Sequence, residues 1–274
     1  MSEHWLGLTG HTALITGGAS GIGRAVAESL GAAGVNLAIA DVNADAAESA
    51  AAELAKNHGI EAIGLACNVT KKAEVDATVA TIVERFGRLD ILINNAGINI
   101  PRLLVDPAGK EELTEEVWDL VVNVNMKGQF LCAQAAARAM IADSKGGVII
   151  NMASESGSEG SEGQSVYAAT KAAAYNLSRS WAKELGKHGV RVIGVAPGIM
   201  EATGLRSESY ENALAYTRGI TVEQLRASYE KVSIPIGRSG KLSEVGDLCA
   251  FLASPRGGYI HGTTVNISGG KSRA

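Results

Sequence analysis

The chain is 274 residues long, 46% hydrophobic and 20% charged, which is enough for one large α/β domain and short for two. A formal net charge of −4 supplies no basic field for nucleic acid or for an anionic membrane surface. Cys67, Cys132 and Cys249 are scattered and lack CxxC spacing, and the five histidines form no HExxH motif, so a disulfide framework, a zinc site and a catalytic metal are all without support.

The three thiols are expected to be buried and reduced. The opening MSEHWLGLTGHT has neither a basic region nor a long apolar stretch, and no run approaches the roughly 18 apolar residues of a membrane span, so a cytoplasmic protein is expected. From Thr12 a strand-then-helix rhythm sets in. TALIT (Thr12 to Thr16) predicts a first strand, which meets GGASGIG and a helix from Ile22 to Ala33. NLAIAD predicts a second strand ending at Asp41, then a helix from about Asn43 to Asn57 whose Ala-rich part favours helix over disorder. EAIGLA is a third strand, Lys72 to Phe86 a third helix and DILINNAG a fourth strand. A long helix from about Leu113 to Ile141, the strand GVIINMA and a helix carrying Tyr167 and Lys171 follow. RVIGVAPG and TTVNIS supply the sixth and seventh strands.

Alternating strands and helices, with short strands apolar throughout, predict an α/β fold: a doubly wound parallel sheet of about seven strands covered by helices on both faces, in one domain over 1–274. The polar, mostly helical stretch 200–239 breaks the rhythm after the sixth strand. Ligands of such sheets sit at the carboxyl ends of the strands, so this stretch is expected to be a small helical lid over the substrate.

Two stretches carry chemistry. In the turn from Thr16 to Gly23, glycines 17, 21 and 23, with Ser20 and Ile22, let the backbone approach a pyrophosphate whose charge is met by the following helix N-terminus. Asp41 ends the next strand eighteen residues after Gly23. A carboxylate there can accept both adenosine ribose hydroxyls and would repel a 2′-phosphate, which favours NAD over NADP. In the second stretch, Ser154 precedes Tyr167, and Tyr167 and Lys171 share one helix face at i and i+4. A neighbouring ammonium is expected to lower the phenol pKa of about 10 by roughly 1–3 units, giving a general acid/base.

TGGASGIG, NNAG (Asn94 to Gly97), the run from Asn125 to Gly128, Ser154, YAATK and Pro197-Gly198 resemble, in order and spacing, the short-chain dehydrogenase/reductase family. The resemblance implies a Rossmann-like domain and a catalytic tetrad of Asn125, Ser154, Tyr167 and Lys171. Tyr167 would exchange the substrate proton and Ser154 would hydrogen-bond the reacting oxygen. Lys171 would hold the nicotinamide ribose, and Asn125 would anchor a water. It also places Asn68 and Val69 around the adenine and Asn95 and Gly97 near its ribose, with Tyr167, Lys171, Pro197, Gly198 and Ile199 completing the cofactor set. Ala202 stands where the family often has a threonine, so a nicotinamide contact from Thr203 is not assured. A homotetramer built through the long helix and the helix after Tyr167 is implied as well.

Around the expected mouth, PRLLVD, SESGSEGSEGQS, PGIMEATGLR and the tail NISGGKSRA resemble members of this family that act on a sugar-alcohol phosphate, which implies a hexitol phosphate substrate. Such a molecule needs a cation for its phosphate and polar groups for its hydroxyls, whereas a steroid or acyl pocket would be aromatic and aliphatic. Only 4% of residues are aromatic. Arg102 and Arg206 follow the fourth and sixth strands and are the expected phosphate ligands, with Glu155 near the hydroxyls. Three glutamates between Ser154 and Glu162 weigh against an unshielded phosphate beside that loop. An unphosphorylated polyol, another ketose phosphate, a hydroxysteroid and a non-catalytic nucleotide-binding role stay open.

Overall fold

Seven strands, β1 (Thr12–Thr16), β2 (Asn36–Asp41), β3 (Ala62–Ala66), β4 (Ile91–Asn94), β5 (Gly147–Met152), β6 (Val190–Pro197) and β7 (Thr264–Ile267), form one parallel sheet in the order β3-β2-β1-β4-β5-β6-β7. The computed structural model describes residues 5–204, 206–229 and 234–272. Residues 1–4, 205, 230–233, 273 and 274, which belong to the N-terminal opening, the expected lid and the tail, lie outside that description.

The central strands are buried along their whole length, β1 and β4 without exception, because helices cover both faces. One face packs against α1 (Gly21–Ala32), α2 (Ala44–His58) and α10 (Leu242–Ala253), around Val26, Leu30, Leu54, Val245 and Leu252. The other packs against α3 (Lys72–Phe86), α5 (Gly128–Ala142) and α7 (Ser165–Leu185), around Val79, Ile82, Leu131 and Met140. Alanines at the contact positions of α5 let its backbone approach the sheet closely. Cys67, Cys132 and Cys249 are free, buried thiols.

Three elements differ from the sequence expectation. The long helix is α4 (Glu115–Val122) running into α5 through a π-helical turn, Asn123–Lys127, in which the amide of Gly128 donates to the carbonyl of Asn123. A four-residue helix, α6 (Ser156–Glu159), stands between β5 and α7, where no element is expected. Helix α10 was not anticipated at all, although it forms the crossover between β6 and β7. Its apolar side chains recur at 245, 248, 249 and 252, and the Val245 and Leu252 side chains are fully buried.

After β6 the chain forms α8 (Glu208–Thr217) and α9 (Val222–Ser228). They share a small apolar cluster of Leu214, Ala215 and Leu225, and Glu211 on α8 pairs with Arg226 on α9 at 2.6 Å. The loop after β4 is tied to α8, where the Tyr216 hydroxyl donates to the Asp106 carboxylate at 3.0 Å, and to the turn before α7, where the Arg102 amide donates to the Gly163 carbonyl at 2.7 Å. Among the described residues no helix is long and apolar enough to cross a membrane.

Candidate active site

The strand order reverses between β1 and β4, and a cleft of about 570 Å³ opens above their carboxyl ends. Gly17, Ser20, Gly21 and Ile22 form one wall, Asp41, Asn68 and Val69 a second, and Asn95, Gly97, Ser154, Tyr167, Lys171, Pro197 and Gly198 the remainder.

At the glycine turn the backbone has positive φ at Gly17 (+61°) and Gly21 (+55°), which L side chains rarely adopt. Gly23 does not line the cleft. A Cβ there would lie 2.2 Å from the Gly17 carbonyl oxygen, so this glycine lets α1 pack under the turn. Ser20 occupies the N-cap position of α1, but its hydroxyl makes no capping hydrogen bond and stays available to a ligand. Asn95 secures the turn from the neighbouring strand: its Nδ2 donates to the carbonyls of Thr16 and Gly17, both at 3.0 Å. Asn94 continues the bracing through Asn151 to Ser178 in a buried polar ladder from β4 to α7.

Asp41 is not the cap of α2; Asn43 is, accepting from the Ala46 amide at 3.1 Å. The Asp41 carboxylate therefore faces the cleft with a single accepted bond, from the Asn43 amide. Asn68 Oδ1 accepts from both the amide and the hydroxyl of Thr70, at 3.0 and 2.8 Å, so what the side chain offers the cleft is chiefly its Nδ2 donors. Thr203 lines the cleft and packs beside Gly21. Ile199 does not; it lines a separate cavity of about 150 Å³ on the far side of the Pro197-Gly198 turn.

Helix α7 presents Tyr167 and Lys171 side by side, and a third residue one turn on, Tyr175, donates to the Ser154 carbonyl at 3.1 Å and fixes that loop. The Ser156 hydroxyl donates to Ser154 Oγ at 3.0 Å, leaving the Ser154 proton for the phenol, which it hydrogen-bonds. Lys171 Nζ donates to the Met152 carbonyl at 2.7 Å and sits 5.6 Å from the centre of the Tyr167 ring. Asn125, buried in the π turn, clamps the backbone of Ile98: Oδ1 accepts from its amide at 2.8 Å and Nδ2 donates to its carbonyl at 2.9 Å. The side chain thus acts behind the cleft and does not line it.

The expected lowering of the phenol pKa is overturned. Burial pushes Tyr167 above its ordinary value, and the nearby Glu155 carboxylate adds to the rise against the lowering effect of Ser154. Lys171 spends its ammonium on the Met152 carbonyl, and burial draws its own pKa down to about 8.

The expected substrate residues are scattered. Arg102 donates to the Pro101 carbonyl at 2.7 Å and pairs with Glu111 at 2.5 Å, so its charge is already answered. Arg206 lies over the Tyr229 ring at 4.2 Å and donates to the Met200 carbonyl. Glu155 pairs with Lys271 of the C-terminal tail at 2.5 Å, while its Oε2 is buried without a hydrogen-bond partner. Sequence reasoning missed Ser156, Lys271, Gln164 and Tyr210. Gln164 Nε2 donates to the Tyr210 hydroxyl at 2.8 Å, and Tyr210 feels the charge of Tyr167.

The short chain dehydrogenase family model matches residues 11–214. The chain is 50% identical over 272 residues to the sorbitol-6-phosphate 2-dehydrogenase of Klebsiella pneumoniae, covering 98% of each. It is 40% identical to the sorbitol dehydrogenase of Cereibacter sphaeroides, over 96% of this chain and 98% of that one. A solved structure of the 3-ketoacyl-(acyl-carrier-protein) reductase of Brucella melitensis, complexed with NADH, superposes with a TM-score of 0.80 at 30% identity, covering 97% of this chain and 99% of that chain. With the cleft at the strand switch, the glycine turn and the Ser154, Tyr167 and Lys171 cluster, these similarities make the chain a member of the short-chain dehydrogenase/reductase family, an oxidoreductase acting on a secondary alcohol.

Proposed function

We propose that the protein is an NAD-dependent dehydrogenase interconverting D-sorbitol 6-phosphate and D-fructose 6-phosphate. The observation that carries this reading is end-to-end similarity, at 50% identity, to a relative named for sorbitol 6-phosphate. The site residues are compatible with it. Ser20 keeps a free hydroxyl at the start of α1, Gly17 and Gly21 hold the turn open, and Asp41 offers a carboxylate to a ribose diol. These groups, with Asn68, Val69, Asn95, Gly97, Pro197 and Gly198, would hold NAD, and Asp41 would repel the extra phosphate of NADP. When bound, the nicotinamide supplies the hydride acceptor for the alcohol carbon.

In the oxidation direction, Tyr167 as phenolate takes the hydroxyl proton while the C–H bond breaks and its electron pair leaves with the hydride. Ser154 would donate to the reacting oxygen, and Lys171, which lines the cleft, would hold the nicotinamide ribose with its remaining donors. Asn125 positions the Ile98 backbone behind Lys171. Glu155, paired with Lys271, would face the polyol hydroxyls, and α8 and α9 within 200–239 would close over them as a lid of the single domain. Exposed Trp118, Met126 and Phe130 on the α4–α5 helix are consistent with assembly into a homotetramer in the cytoplasm.

Similarity to the Cereibacter sorbitol dehydrogenase favours a second reading, the same reaction on free sorbitol. NADH formation from D-sorbitol 6-phosphate and from D-sorbitol, measured with the wild type, separates the two. A clear preference for the phosphate ester is expected; equal rates would eliminate it. Tyr167→Phe should abolish turnover on either substrate while NAD still binds.

A further inference from the structure

Beyond Tyr167, outside the residues that line the cleft, lies a connected run of polar side chains. The Tyr210 hydroxyl accepts from Gln164 Nε2 at 2.8 Å, so its own proton is free. Gln164, buried at the start of α7, accepts in turn from the Ser161 hydroxyl at 2.7 Å. Ser161 Oγ then accepts from Arg218 Nη2 at 3.2 Å, which brings a guanidinium from the end of α8 to the far end of the run.

A second guanidinium, like Arg218, acts on the Tyr229 phenol. Arg206 lies flat over the Tyr229 ring, 4.2 Å from its centre, a stacking that leaves the guanidinium edge open to an anion. Burial pushes the Tyr229 pKa up; both arginines favour its ionised form, and the Glu211 carboxylate, itself paired with Arg226, opposes them. Their state contrasts with that of the other arginines nearby. Arg102 and Arg226 are paired with Glu111 and Glu211. Among the described residues, Arg206 and Arg218 bond only to neutral oxygens, the Met200 carbonyl and the Ser161 hydroxyl. The acidic loop that weighed against a phosphate is also partly neutralised, because Glu155 is paired with Lys271.

Two guanidiniums without a carboxylate partner among the described residues, and a neutral hydrogen-bonded run from Arg218 to Tyr210, whose hydroxyl feels the charge of Tyr167, suit a ligand that is polyhydroxylated in the middle and doubly anionic at one end. We propose that Arg218 and Arg206 form the phosphate subsite of the mouth, gripping the ester at C6 while C2 lies at Tyr167; this rests on the polyol-phosphate reading above. Tyr229 adds a neutral donor to the same ester, Ser161 holds the Arg218 guanidinium in place, and Tyr210 and Gln164 serve the hydroxyls between.

The test compares Arg218→Met and Arg206→Met, which keep the side-chain stem, with Arg256→Met, a substitution on the opposite surface beside Trp5. The ratio of kcat/KM for D-sorbitol 6-phosphate to that for D-sorbitol should fall about 10–100-fold in each mouth variant and hold in the control, and Arg218→Lys should recover part of it. Inorganic phosphate, titrated into the NAD-loaded enzyme, should bind the wild type and lose about the same factor in the two variants. An unchanged ratio, or equal losses on both substrates, would overturn the subsite. If the wild type fails to oxidise the phosphate ester yet binds inorganic phosphate through these arginines, the functional reading falls and the subsite stands. Phosphate binding indifferent to both substitutions removes the subsite whatever the substrate is.

Discussion

Lys271 Nζ lies 2.5 Å from Glu155 Oε1, so a tail residue neutralises a carboxylate placed next to Ser154 and electrostatically coupled to Tyr167. The Glu155 charge disfavours the phenolate and raises its pKa. In the proposed mechanism alcohol oxidation uses that phenolate, so the rate should climb as pH rises through the Tyr167 pKa. Glu155→Gln should move the rising limb of kcat/KM for oxidation to lower pH, and Lys271→Met, which bares the carboxylate, should move it to higher pH. Profiles measured with both variants settle the matter; shifts in the same direction would refute the coupling.

Lys171 costs the empty protein stability. Its folded pKa of about 8 lies below the ordinary 10.5, so folding disfavours the ammonium. That penalty, about 3 kcal/mol from the size of the shift, is fully present below pH 8 and fades as pH rises toward 10.5. Lys171→Met should therefore stabilise the cofactor-free chain by about 1–3 kcal/mol at pH 7, less the cost of leaving the Met152 carbonyl without its donor, and should abolish activity. Urea denaturation at pH 7 and pH 10 gives the comparison, with the gain expected to shrink at the higher pH.

Gly23→Ala should be poorly tolerated, because the new Cβ falls 2.2 Å from the Gly17 carbonyl oxygen and 2.6 Å from Asn95 Nδ2. Both atoms hold the cofactor turn, so a loss of about 1–3 kcal/mol should coincide with weakened NADH binding. Gly59→Ala, at a left-handed position with open space around it, should lose stability and leave NADH affinity intact. Thermal melts with NADH fluorescence titrations distinguish the two.

Asp41→Ala removes the carboxylate that faces the cleft. The ratio of kcat/KM with NAD to that with NADP should fall at least about tenfold, through weaker NAD binding and relief of repulsion at the 2′-phosphate. Steady-state kinetics with both cofactors would show an unchanged ratio if this carboxylate reads nothing.

The sheet was legible because its central strands are buried on both faces and carry short, largely apolar runs; TALIT and NLAIAD are β1 and β2 residue for residue. Helix α10 escaped because the polar lid masks where its apolar spacing begins, at Leu242. The π turn is a matter of hydrogen-bond offset, fixed by Asn125 reaching to Ile98, and no local propensity encodes it. Helical spacing alone put Tyr167 and Lys171 side by side, whereas joining Ser154 and the glycine turn to them took the resemblance to the short-chain dehydrogenase/reductase family. The direction of the Tyr167 shift could not be read from the sequence, since it depends on how deeply tertiary packing buries the phenol. Nor could the fate of Arg102, which the local loop decides by bringing Glu111 back to it, while Arg218, just past the end of α8, meets no carboxylate among the described residues.

Asp106 accepts from the backbone amides of Ala108, Lys110 and Glu111 and from the Tyr216 hydroxyl. Its carboxylate therefore stitches two segments that are far apart in sequence, and an engineer who transplanted α8 from a relative to change specificity would have to bring the matching 106–111 loop along with it. The two segments amount to one exchangeable cassette, and recombination boundaries drawn between them would yield chimaeras with a misplaced entrance.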